Sequence, residues 1–113
     1  MIKVTLLTEG EKLSLKLEGH AGYAEEGKDI VCAAASILVQ TLAWYVNFGD
    51  RSKNLKSPAE IKLESGDAVV SCEPKKELAE WLENAYQFAK MGFIHLSNSY
   101  PQNVELITDG EDD

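Results

Sequence analysis

One histidine and one cysteine stand twelve positions apart in the stretch from Gly19 to Ser36, GHAGYAEEGKDIVCAAAS. Thiol chemistry needs an environment that favours the deprotonated sulfur, a base within reach, and donors for a developing oxyanion. This stretch offers a candidate for each. Asp29 sits immediately before the first helical residue, Ile30, where its carboxylate can cap the helix by accepting the Cys32 N–H. Cys32 then lies in the first turn, where unpaired N–H groups and the positive end of the helix dipole favour a thiolate. The charge on Asp29 opposes this, and the dipole together with a protonated imidazole is expected to outweigh it. His20 is the base. The N–H groups of Cys32 and Ala33 are the expected oxyanion donors, and Ser36, one turn further on the same face, can hydrogen-bond the thiol or the imidazole. The bland alternatives are a buried helix cysteine and a surface histidine at a strand end.

The elements that must hold these residues are set by periodicity. Ile2, Val4 and Leu6 alternate with Lys3 and Thr5, and Leu13, Leu15 and Leu17 alternate with Ser14, Lys16 and Glu18. Both read as strands with one buried face, joined as a hairpin through Thr8 to Glu11. The second strand ends at Gly19 and delivers His20 to the sheet edge. Residues 20–28, with Gly22 and Gly27 and no apolar rhythm, predict a mobile loop. From Ile30 to Phe48 the chain is apolar on nearly every side and long enough for five helical turns. Such a helix must be covered on more than one face, by the sheet and by a second helix or another subunit. Ala33, Ala34 and Ala35 would allow close approach.

Asp50 to Ser57 reads as a connecting loop. Ile61 and Leu63, a turn at Ser65-Gly66-Asp67, and Ala68 to Cys72 make a second hairpin. Pro74 suits the first turn of an amphipathic helix carrying Leu78, Leu82, Ala85, Ala89, Gly92 and Leu96, which the run from Ser97 to Pro101 stops. Val104, Leu106 and Ile107 supply a last strand. The order ββαββαβ predicts an α+β, two-layer sandwich with a mainly antiparallel sheet and two helices. It forms a single domain over residues 1–108, with an acidic disordered tail over 109–113.

With 113 residues, 44% hydrophobic and 27% charged, the chain has the composition of one folded domain. Its net charge of −8 argues against nonspecific binding to nucleic acid or an anionic membrane and in favour of a basic partner. No segment is expected to reach the roughly 20 apolar residues of a membrane span, and the N-terminal apolar run is too short for a signal peptide. The expected location is cytoplasmic, where Cys32 and Cys72 stay reduced.

At these residues the sequence resembles the bacterial ribosomal-processing cysteine proteases of the Prp family, which pair a histidine in a Gly-His-Ala opening with a cysteine in an Asp-Ile-Val-Cys-Ala helix start. The resemblance extends to FIHLSNSYPQNVEL near the end of the chain. It implies a cysteine endopeptidase with Cys32 as nucleophile and His20 as general base. Asp29 and Ser36 would support them, and Gly19 would allow the loop to move. It further implies a homodimer that removes the N-terminal extension of a large-subunit ribosomal protein, number twenty-seven, by cutting after an aromatic residue. No metal or cofactor is required. An acidic enzyme suits a basic ribosomal substrate, and a helix apolar all round suits a dimer interface.

Two other readings compete. A thiol redox protein would use Cys72 as a resolving partner for Cys32, against the plainer reading of Cys72 as a packed, inert thiol. A ribosome-assembly factor would bind the ribosomal protein without cutting it. His95 reads as a helix-end histidine, Glu25 and Glu26 as solvated loop charges, and Trp44, Tyr45 and Phe48 as core or dimer contacts.

Overall fold

The computed structural model describes residues 1–109; the rest of the expected tail lies outside the described residues. The elements keep the expected order: β1 (Ile2–Glu9), β2 (Lys12–Glu18), α1 (Ile30–Arg51), β3 (Glu60–Glu64), β4 (Asp67–Cys72), α2 (Lys76–Ser99) and β5 (Val104–Ile107). They form the two-layer α+β arrangement that the element order implies. The five strands make one sheet in the order β3-β4-β2-β1-β5. The β1–β2, β2–β4 and β3–β4 pairs are antiparallel, and β1–β5 is parallel. Consequently β2 is the central strand. His20 leaves from its end, between β1 and β4, rather than from an outer edge.

The strand alternation buries Ile2, Val4, Leu6, Leu13, Leu15, Leu17, Ala68, Val70 and Cys72. These pack with Val31, Ala35, Val39, Leu42 and Val46 of α1 and Leu82, Ala89 and Phe93 of α2 in one core. Glycines bring the two helices close together. A Cβ on Gly92 would stand 2.7 Å from Leu38 Cδ2, and one on Gly49 would stand 3.0 Å from Leu78 Cδ2. Ala33, by contrast, is exposed.

Two further expectations, on Pro74 and on a membrane-length segment, are corrected. Pro74 precedes α2, whose N-cap is Lys75, and instead bridges Leu55. The helix ends at Ser99, with Tyr100 as its C-cap, inside the run from Ser97 to Pro101 that is expected to stop it. And α1 is, by its 22 residues and a mean hydropathy of 1.6 over its most apolar 18-residue stretch, long and apolar enough to cross a membrane. Counting an unbroken apolar run misses this, because isolated polar residues such as Gln40 and Asn47 lower the mean only slightly. In the fold, one stripe of α1 lies in the core while Ile37, Trp44 and Phe48 on the other side stay open, at 60%, 80% and 58% exposure.

Phe93 is fully buried at the centre of this packing. Phe93→Ala is expected to cost about 3–5 kcal/mol, read as a lowered urea midpoint with an unchanged slope.

Candidate active site

The site forms where β2 ends. Gly19 turns the chain with φ +92, and a Cβ there would come within 2.5 Å of the Met1 carbonyl oxygen. Its N–H donates to the Gly66 carbonyl at 2.9 Å, so the strand end is tied to the β3–β4 turn. In this structure Gly19 is required by close approach and backbone sign. The same turn also sets the histidine. The His20 ring lies directly over Gly66, where a Cβ would stand 2.6 Å from Nε2 and 2.9 Å from Cε1.

Asp29 caps α1 as its position predicts. Its Oδ1 accepts the N–H of Val31 at 3.0 Å and of Cys32 at 2.9 Å. The other oxygen reaches back into the loop: Oδ2 accepts the N–H of Tyr23 at 2.9 Å and of Ala24 at 3.1 Å. Burial pushes the Asp29 carboxyl up, but these donors, Cys32 foremost, outweigh it and hold the group below its ordinary value. The loop is also fastened at two points besides the cap. Ala21 is buried, its carbonyl accepting from Asn103 Nδ2 at 2.9 Å, and the Tyr23 ring meets Tyr100 edge-on at 5.3 Å. Residues 22–28 are exposed.

Cys32 is half-buried, and its Sγ accepts the Ala21 N–H at 3.3 Å. The expected oxyanion donors are otherwise engaged, since the Cys32 N–H serves Asp29 Oδ1 and the Ala33 N–H donates to the Asp29 carbonyl at 3.1 Å. Ser36 lies on the same face, as its spacing predicts.

Two cavities meet at the sulfur. One, of about 220 Å³, runs along apolar Ile2, Leu17, Val39 and Leu63 to Gln40. The other, of about 390 Å³, lies under the loop beside Glu26, Gly27 and Asp29. His20, Cys32, Ser36 and Ser65 border both. A peptide laid through the two would pass its backbone over Cys32.

Cys72 stands apart. Ala68 lines the first cavity, and Cys72 is four residues further along β4, about 13 Å at the usual strand rise. It is 4% exposed, with Tyr86 Oη 3.8 Å from its sulfur. Burial pushes its thiol up, and the Tyr86 contact only partly pulls it back. Both cysteines are free, and the packed reading of Cys72 fits this setting. His95 is exposed on α2. Periodicity does not point to Gly66 or Asn103, which act across long sequence separations. The glycine of a hairpin turn and the polar run after α2 are the only signals of either.

A half-buried cysteine at a capped helix start, with a histidine bordering the same cavities on an α+β scaffold, is an arrangement suited to a thiol hydrolase. Residues 1–105 match the model of the family described as cysteine protease Prp, and the chain belongs to that family. It is 31% identical over 93 residues to the ribosomal processing cysteine protease Prp of Mycoplasma genitalium, covering 81% of this chain and 84% of that protein. Among solved structures, the essential ribosomal processing protease Prp from S. aureus, bound to a covalently linked product peptide, superposes with a TM-score of 0.72 at 20% identity. That match covers 96% of this chain and 100% of the other. A protein from Streptococcus mutans matches with a TM-score of 0.64 at 26% identity, over 96% and 93% of the two chains.

This geometry predicts two outcomes. Because the folded Asp29 carboxyl sits below its unfolded value, its stabilisation is complete above the ordinary carboxylate range and is lost as pH falls through the folded value. The gap in Tm between the parent and Asp29→Asn should be constant above about pH 5 and close below about pH 4. Gly66→Ala and Gly10→Ala both place alanine at positive φ, +71 and +63, but nothing lies within 4 Å of the new Cβ at Gly10. Both should lose comparable stability, whereas only Gly66→Ala should lower kcat, by about tenfold or more, by displacing the His20 ring.

Proposed function

We propose that this cysteine protease removes the N-terminal extension of a large-subunit ribosomal protein precursor, number twenty-seven of that subunit, during ribosome maturation. The observation that carries the reading is Cys32 at the junction of two cavities, with His20 bordering both and the Ala21 N–H on the sulfur. The name of the Mycoplasma genitalium relative, a ribosomal processing protease, supports the substrate class. Charge supports it too, because a chain of net −8 is steered toward basic ribosomal proteins. The apolar cavity suits the aromatic residue before the cut, and the cavity with Glu26 suits the residues after it.

In the reaction, the Cys32 thiolate attacks the scissile carbonyl, and His20 takes the thiol proton and then delivers it to the leaving amine. Water, deprotonated by His20, hydrolyses the thioester. With the Cys32 and Ala33 amides held by Asp29, the oxyanion donor is the Ser36 hydroxyl, one turn along the same face. Asp29 fixes the helix start and the loop, and Gly19 fixes the strand end. The enzyme works in the cytoplasm, without a metal, cofactor, membrane or nucleic acid.

The enzyme works as a homodimer. Trp44, Phe48, Trp81 and Phe88 are 80%, 58%, 39% and 76% exposed on the outer face of α1 and α2. They neighbour an apolar groove of about 370 Å³ between the helices. A contiguous patch of this kind supports a second copy as its cover.

Cys32→Ala should reduce cleavage of a peptide spanning the extension junction by about 10⁴-fold or more while leaving its binding intact. Mass spectrometry of the ribosomal protein from cells with and without the gene separates cutting from mere binding, since only a protease leaves a trimmed terminus. In light scattering the parent should show twice the 12.5 kDa chain mass, and Phe88→Glu should show the chain mass alone.

A further inference from the structure

The sulfur of Cys32 receives a hydrogen bond from a loop, and loops wander unless something holds them. At Ala21, what holds this one comes from the far end of the chain. Asn103, in the turn between α2 and β5, donates from Nδ2 to the Ala21 carbonyl at 2.9 Å, and the Ala21 N–H donates to Cys32 Sγ at 3.3 Å. Ala21 is 2% exposed, whereas residues 22–28 beyond it are open to solvent. Ala21 also comes directly after His20, so fixing it restrains the histidine's backbone as well.

Asn103 itself is held independently of this contact. Its N–H donates to the Tyr100 carbonyl at 2.9 Å, and its carbonyl accepts the Ile2 N–H at 2.8 Å. Both bonds use the main chain and survive replacement of the side chain. The side-chain amide is therefore available for a separate purpose, and its hydrogen is aimed at the Ala21 carbonyl.

We propose that Asn103 is a positioning residue for the active site: its side-chain amide holds Ala21 so that the Ala21 N–H remains on the Cys32 sulfur and His20 remains at the cavity mouth. The side chain acts through Ala21 rather than on the sulfur itself, and this rests on the reading of Cys32 as nucleophile.

Asn103→Ala removes the donor and the bulk, and Asn103→Asp keeps the shape while replacing the donor with an acceptor that faces a carbonyl. If Asn103 only filled space, the aspartate variant would behave as the parent. Alkylation of each cysteine by iodoacetamide at pH 7, mapped by mass spectrometry, reads the sulfur without requiring any protease substrate. Losing the Ala21 donor takes away the hydrogen bond that Cys32 Sγ accepts and leaves the sulfur less well positioned for attack. Both variants should show Cys32 alkylation slowed at least about threefold. Cys72, buried against Tyr86, should stay unreactive, which reports an intact fold. In peptide cleavage, kcat should fall about tenfold with KM within about twofold. An Asn103→Asp variant that alkylates at Cys32 as fast as the parent overturns the proposal. Slowed Cys32 alkylation in the variants, with a parent that cleaves no junction peptide, upholds the positioning role and overturns the substrate instead.

Discussion

A single carboxylate organises the active region. Asp29 distributes its two oxygens over four backbone N–H groups, two at the start of α1 and two in the preceding loop. Capping a helix takes only one of the two oxygens. The second makes the loop part of the cap, so the segment that covers the sulfur and the helix that carries it share an anchor. Shared donors also draw charge from the carboxylate, which explains how an acid sits three residues before a half-buried thiol. The cost is that the amides nearest the sulfur are no longer available to a substrate.

The rest of the site is assembled from elements distant in sequence. The end of β2 brings His20, α1 brings Cys32 and Ser36, the β3–β4 turn brings Gly66 and Ser65, and the turn before β5 brings Asn103. The central position of β2 makes this possible, because a strand flanked on both sides releases its last residue among neighbours that can grip it. Gly66 grips twice, through its carbonyl to Gly19 and through the missing side chain beneath the imidazole.

The features legible in the sequence are local ones. Alternation places every strand, the change of period at Ile30 places the long helix, and Asp29 announces its cap because an N-cap is a one-residue signal. Pairing order is not legible, since alternation says which face a strand buries and nothing about its neighbours. The parallel β1–β5 pair and the central β2 both lie beyond it. The same limit hides Asn103 and Gly66, whose importance lies in residues 82 and 46 or more positions away. The oxyanion donors fail for a different reason: the cap itself, correctly placed at Asp29, consumes the Cys32 N–H that a free helix end would present. The part that Gly49 and Gly92 play in the helix pairing is not legible either, because only the partner's side chains reveal where a Cβ would collide.

The hydrogen bond between Asn103 and Ala21 joins residues 82 apart, and β5 closes the sheet beside β1. During synthesis, Ala21 therefore leaves the ribosome long before the group that restrains it. The loop between the histidine and the cysteine has no far anchor until α2 and the turn after it have emerged. An enzyme built in this way completes the surroundings of its cysteine late, only once Asn103 has reached Ala21.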